Sequence, residues 1–277
     1  MNTLRFGTPG IPTSTEPRNT LEGVKQVKKL GLDAMEFEFV HSVNVSEEKA
    51  PEIKKVAKDL DVVLTTHGQY YVNLAAIEKP KYHASVSRMV SAAKRLHECG
   101  GWSITWHMGF YLKRDPVKVH EIVKAGAKEV VKKLQDEGIN KLWIRPETTG
   151  KPTQWGDLKE TIKLSQEVEQ VLPCIDYGHL HARNNGGNNT LEEFRAVLAL
   201  IEKELGREAL NNMHIQCCGI NYGPKGEKNH LNFKESDANW KDMVKSWKEF
   251  KIKGVVIPEC PNIEEDALML QKFYKGL

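Results

Sequence analysis

Six short apolar runs end on, or enclose, a side chain able to hold a metal ion. They are VVLTTH at His67, SITWH at His107, KLWIRPE at Glu147, VLPCID at Asp176, NMHI around His214, and GVVIPE at Glu259. Asp176-Tyr177-Gly178-His179 adds a seventh candidate through its D-x-x-H spacing. Imidazole nitrogens mixed with carboxylate oxygens suit Zn²⁺ or Mn²⁺, whereas Mg²⁺ favours oxygen alone. A carboxylate can also bridge two ions. Two such ions about 3.5–4 Å apart form the clamp used in phosphodiester hydrolysis.

Successive members of the set lie about 30 to 45 residues apart, room for one strand and one helix. That rhythm predicts a single (β/α)8 TIM barrel over residues 1–277, with catalytic groups at the C-terminal ends of its parallel strands. Strands are expected at Leu4–Gly7, at Ala34–Val40 and in the six runs. Helical patterns should fill the eight intervals: Leu21, Val24, Val27 and Leu30 recur near 20–30 with Gly31 as a stop, and 115–137 carries a longer stripe closed by Gly138. Thr190 with Glu193 and Asn262 with Glu265 read as capping boxes. Looser stretches at Thr8–Arg18, Arg183–Asn189 and Gly219–Asp237 follow strand ends, where rim loops belong.

Strand alternation assigns faces. Met35, Phe37 and Phe39 suit the helix side, which turns Glu36 and Glu38 into the barrel, and Arg5, Ser103, Thr105, His107, Trp143, Arg145 and Glu147 also turn inward. An unpaired interior carboxylate is costly to ionise, so Glu36 or Glu38 is expected to pair with Arg5 or Arg145 as a structural ion network.

The chain is 40% hydrophobic and 28% charged, with a net charge of +3, which says little about partners unless it is gathered on one face. No apolar stretch approaches the ~18 residues that cross a bilayer, so no membrane partner is expected. There is no secretory h-region, and the five cysteines form no CxxC pair, which fits a reducing cytoplasm and neither a disulfide framework nor a thiolate zinc knuckle.

HGQYYVNL at 67–74, WHMGF at 106–110, PETTG around Glu147, CIDYGHLHA at 174–182, MHI at 213–215, NH at 229–230 and IPECPN at 257–262 together resemble the type IV apurinic/apyrimidinic endonucleases, in an archaeal-type branch within the xylose-isomerase-like barrel group. The resemblance implies a DNA-repair enzyme of base excision repair, acting as a monomer. It would cleave the phosphodiester bond 5′ to an abasic site in double-stranded DNA by a metal-bound hydroxide. By motif, His67, His107 and Glu147 would hold a first zinc; Glu147 would bridge to a second completed by Asp176, His214 and Glu259; His179 and His230 would bind a third. Tyr70 and Tyr71 match the family's wedge into the stack, and Lys225, Lys228, Lys113 and Arg114 are candidates for phosphate contacts.

One departure stands out. The family places an Asp two residues before the last histidine, but this chain reads Lys228-Asn229-His230, so Glu227 or a water would have to replace the third site's missing ligand. Two Zn²⁺ are therefore expected, with Mn²⁺ as an alternative and the third ion depending on that replacement. The N-terminal loop GTPGIPTSTEP also differs from the family's usual recognition loop. His83, His97 and His120 fall on helices, while His41 and His181 follow strand ends and line the mouth without binding metal. The alternative function is a sugar isomerase or epimerase holding one divalent ion on Glu147, Asp176, His214 and Glu259; a silent DNA-binding scaffold is the third. The four histidines His67, His107, His179 and His230 distinguish them, because only the nuclease uses all four.

Overall fold

The computed structural model describes residues 1–277. Its frame is eight parallel strands: β1 Leu4–Pro9, β2 Ala34–Glu38, β3 Val63–His67, β4 Ser103–Trp106, β5 Trp143–Pro146, β6 Cys174–Asp176, β7 Met213–Cys217 and β8 Gly254–Pro258. Neighbours pair in the order β5-β4-β3-β2-β1-β8-β7-β6. Parallel bridges Ile144↔Val171 and Glu147↔Cys174 join the two ends and close the cylinder. The eight intervals hold helices as the hydrophobic periodicity requires, among them Thr20–Lys29 behind the Asn19 cap and Pro116–Asp136 behind the Asp115 cap. This is a (β/α)8 barrel.

Alternation along the strands sorts the core from the interior. Met35, Phe37 and Phe39 are buried outside the strands against the helices, while Glu36 is fully buried inside. The interior ion pairs differ from the expected ones. Arg5 turns down to the lower rim, where it meets Asp61 at 3.0 Å in the turn before β3. Arg145 reaches no carboxylate: its guanidinium stacks 4.7 Å from the Trp102 ring and donates to the carbonyls of Pro173 and Asn212. Glu36 is satisfied by neutral donors instead, Thr65 Oγ1 at 2.7 Å and Gln216 Nε2 at 2.6 Å, with His214 Nε2 3.0 Å away.

Two further expectations are corrected. The Thr190–Glu193 capping box forms, but Asn262 does not cap the last helix; Glu264–Gly276 starts after Ile263, whose φ of 51° turns the chain too sharply for the Asn262 side chain to reach the helix. The stretch 219–237, expected as loop, folds its first part into an antiparallel hairpin of Gly219–Gly223 and Gly226–Leu231. An additional capping box, Asp157 with Glu160, begins the helix Leu158–Glu167. All five cysteines are buried and free, and no helix is long and apolar enough to cross a membrane.

Gly68 shows how tightly the upper rim is packed. A Cβ there would fall inside the van der Waals surface of the fully buried Trp106 indole, which has no room to move. Gly68→Ala should therefore lower stability by about 1–3 kcal/mol, the usual cost of overpacking. Urea unfolding measures this, and an unchanged midpoint would mean the indole yields.

Candidate metal centre

Strand ends, one helix and the hairpin deliver the chemistry to a single cleft of about 230 Å³ at the C-terminal mouth, lined by His67, His107, His179, Glu227, His230 and Glu259 among others. Glu147 lies at its base, fully buried. Its Oε2 is 3.2 Å from His67 Nε2, and its Oε1 is 2.7 Å from His107 Nε2 and 3.0 Å from His179 Nδ1. Ligand atoms of His67, His107 and Glu147 converge, as do those of Glu147, Asp176 and His179, and those of His179, Glu227 and His230. Glu147 belongs to two of these groups and His179 to two.

The D-x-x-H spacing has a simple local cause. Asp176 ends β6 and caps the short helix Tyr177–Arg183, its Oδ1 accepting from the His179 amide at 2.7 Å, so the first helical turn swings His179 over the aspartate. Three imidazoles are then oriented by the main chain. His67 Nδ1 sits 2.7 Å from the Gly68 carbonyl, His179 Nδ1 3.0 Å from that of Thr148, and His230 Nδ1 3.0 Å from that of Glu259. A proton held on Nδ1 by a carbonyl leaves Nε2 as the lone pair, the arrangement by which metal-binding histidines are held.

The hairpin brings Glu227 to the same side as His230. In a regular strand Glu227 and His230, three residues apart, would face opposite sides. The register shifts between Asn221 and Tyr222, so that Asn229 pairs with Asn221 and Glu227 with Tyr222, leaving Lys228 as the extra residue of a bulge. Glu227 thereby comes to the His230 side, its Oε2 3.6 Å from His179 Nε2. Lys228 and Lys225 are exposed.

His214 is not brought to these groups. Register pairs it with Cys174, one layer below Asp176, where it is wholly buried and its Nδ1 lies 2.8 Å from Ser103 Oγ. Gln216 occupies the level of Asp176 instead, its Nε2 2.8 Å from Glu259 Oε1. Among the remaining candidates, Tyr70 and Tyr71 are each 59% exposed at the rim, with Tyr70 beside His67. Lys113 is exposed, but Arg114 is committed to the carbonyls of Ala75 and Tyr111. His181 is held by the Gly187 carbonyl and Asp237, and His120 by Glu167. Lys151 and Gln154 also line the cleft and carried no sequence signal, Lys151 lying in a loop and Gln154 in a two-residue strand paired with Gly109–Phe110; Gln69, within the HGQYYVNL motif, lines it too.

The residues fit divalent cations. Asp176 Oδ2 and His179 Nε2 are buried without hydrogen-bond partners, which is costly unless a further group meets them. The charges give the same answer. Burial, together with repulsion from Glu147 and the other carboxylates, pushes Glu259 well above its ordinary value, and burial raises Asp176. Burial opposes protonation of His67 and His179, yet Glu147 and Asp176 respectively outweigh it and hold them well above the usual imidazole range. The mouth thus binds protons where cations would otherwise balance it.

A (β/α)8 barrel with nitrogen and oxygen ligands gathered at its C-terminal mouth is the architecture of a metal-site TIM barrel. The model of the xylose isomerase-like TIM barrel family matches residues 24–275, and the chain belongs to that family. It is 40% identical over 274 residues to an uncharacterized protein of Methanocaldococcus jannaschii, covering 99% of this chain and 98% of that one. It is 24% identical over 211 residues, 72% of this chain and 68% of the other, to a Mycoplasma pneumoniae protein named "Probable endonuclease 4". Among solved structures, endonuclease IV from Thermus thermophilus superposes with a TM-score of 0.75 at 18% identity over 98% of both chains. A D-tagatose 3-epimerase-like protein gives 0.69 at 16% identity over 97% of this chain and 96% of that one.

Glu38 offers a test of the charge balance. Burial, with repulsion from Glu36, raises its carboxyl from 4.5 to about 8. A raised carboxyl confers stability that is full below pH 4.5 and is lost as pH climbs to about 8. In metal-free protein, Glu38→Gln should flatten the fall in Tm between pH 5 and 8 relative to the unsubstituted chain. Parallel Tm profiles would remove Glu38 from the balance.

Proposed function

We propose that this protein is a metal-dependent endonuclease that hydrolyses the phosphodiester bond 5′ to abasic sites in duplex DNA. One observation carries the reading: three overlapping ligand groups share Glu147 and His179 within one cleft. A barrel built for a single ion has no need of His67, His107, His179 and His230 together. Held by these groups, two or three divalent ions, zinc or manganese, would supply Lewis acidity and offset charge developing on the phosphate oxygens. His67, His107 and Glu147 would hold one ion, and His179, His230 and Glu227 another, with Asp176 and Glu259 between them.

The chain's own groups do the rest. The main-chain carbonyls on His67, His179 and His230 keep these rings turned toward the cleft before any substrate arrives. Tyr70 and Tyr71 stand at the rim where an extruded nucleotide leaves a gap, and an exposed aromatic face can fill it by stacking. Lys225 and Lys228 at the hairpin and Lys151 in the cleft supply positive charge for the phosphate backbone.

The sugar epimerase reading draws on the D-tagatose 3-epimerase-like fold. Its expected quartet of Glu147, Asp176, His214 and Glu259 is weakened because His214 lies in the layer below, against Ser103 and Glu36.

Purified protein should carry two or three divalent ions and incise an abasic duplex 5′ to the lesion. Glu147→Gln should lower both ion content and kcat, the latter by about a hundredfold or more. One ion with epimerisation of a ketose and no incision would overturn the nuclease reading. Glu227→Ala should remove one ion per chain as counted by elemental analysis. Replacing Tyr70 and Tyr71 by Ala should weaken binding of the abasic duplex by about tenfold, read by fluorescence anisotropy, and leave the ion count unchanged.

A further inference from the structure

We propose that Arg183 is a positioning residue for the hairpin corner of the mouth. Its guanidinium gathers the loop after β5 into a seat for Glu227, and so decides whether the set His179, Glu227 and His230 forms. The proposal deepens the reading of that set as an ion site and rests on it for the ion counts below.

Arg183 ends the helix Tyr177–Arg183, four residues after His179 and so one turn along the same face. It is half-buried. Its Nη1 lies 2.8 Å from Thr149 Oγ1, 2.7 Å from the Lys151 carbonyl and 3.0 Å from that of Gln154, and its Nη2 3.5 Å from the Tyr111 hydroxyl. No carboxylate is among these partners. A guanidinium is a natural fork for carboxylates, and its charge strengthens each bond it donates. Here the fork is committed to one short stretch of chain, whose converging oxygens would repel one another without a donor between them.

The rest of the loop closes without this residue. Thr149 N donates to the Gly156 carbonyl, Gly156 N to Glu160 Oε2, and Tyr111 N to the Thr153 carbonyl. Residues 150–152 are the part that meets the hairpin, against Gly226 at its tip. There the fit has no slack. The Glu227 amide donates to the Gly150 carbonyl at 3.0 Å. A Cβ on Gly150 would lie 2.5 Å from Glu227 Oε2, and a Cβ on Gly226 would enter the Gly150 carbonyl. A shift of Gly150 therefore shifts Glu227, whose Oε2 stands 3.6 Å from His179 Nε2. Contacts thus run in a ring from Arg183 through the loop and the hairpin back to His179 on the same helix.

The test begins with metal-free full-length protein and hydrogen exchange. In Arg183→Ala the Glu227 amide should exchange at least tenfold faster, while Ile215 and Val256 in the paired strands β7 and β8 keep their rates. Millimolar guanidinium ion should return the Glu227 rate toward that of the unsubstituted chain, and sodium at equal ionic strength should not. After loading with Zn²⁺, Arg183→Ala should lack one ion per chain by elemental analysis. Combining it with Glu227→Ala should cost no more ions than Glu227→Ala alone, the mark of two residues acting on one site. An unchanged Glu227 exchange rate, ion losses that add, or a full ion complement in Arg183→Ala where Glu227→Ala lacks one would each overturn the proposal. Should Arg183→Ala unfold, so that the strand amides exchange as well, Arg183→Lys keeps the charge without the fork and is judged by the same exchange and ion criteria. Faster exchange at Glu227 in a protein that takes up no zinc at all would remove the metal reading and leave the role of Arg183 standing.

Discussion

A carboxylate sealed from water and shared by three imidazoles is the contact on which the mouth depends. Glu147 closes the barrel through its bridge to Cys174, and the same residue faces His67, His107 and His179. Burial alone would force it to keep a proton, yet the surrounding rings hold it well below the ordinary carboxylate range. An anion so placed can only be maintained by positive charge from protons or from ions. The strand ends therefore form one electrostatic unit, and no member can be altered without shifting its neighbours.

Much of this was legible in the sequence because strands repeat with a period of two and barrels repeat with a period of one strand and one helix. The spacing of His67, His107, Glu147, Asp176 and Glu259 gave the order of the strand ends. Depth was not legible. His214 and Gln216 point the same way from β7, and which of them reaches the mouth depends on how far each strand is staggered against the next, a property of the closed cylinder. The same limit explains Arg5 and Arg145. Alternation put both inside, but only the assembled barrel brings Asp61 to Arg5 and the Trp102 ring to Arg145.

The bulge at Lys228 was hidden for a different reason. Reading the motif as a fixed spacing makes Lys228 the failure of a ligand position. One unpaired residue in the hairpin turns that failure into a one-residue offset, and Glu227 faces His179. Likeness of fold to both an endonuclease IV and an epimerase-like protein shows that the barrel is common property, and that activity lies in what its rim carries.

The hairpin also brings a kind of economy. Its tip is tied to the barrel where the Glu227 amide meets the Gly150 carbonyl, and its far strand where His230 meets the carbonyl of Glu259. Because both side chains travel on one rigid ribbon, lifting the ribbon withdraws both together. That corner of the cleft consequently gains or loses two of its three ligands in one movement, while His179 stays with the barrel.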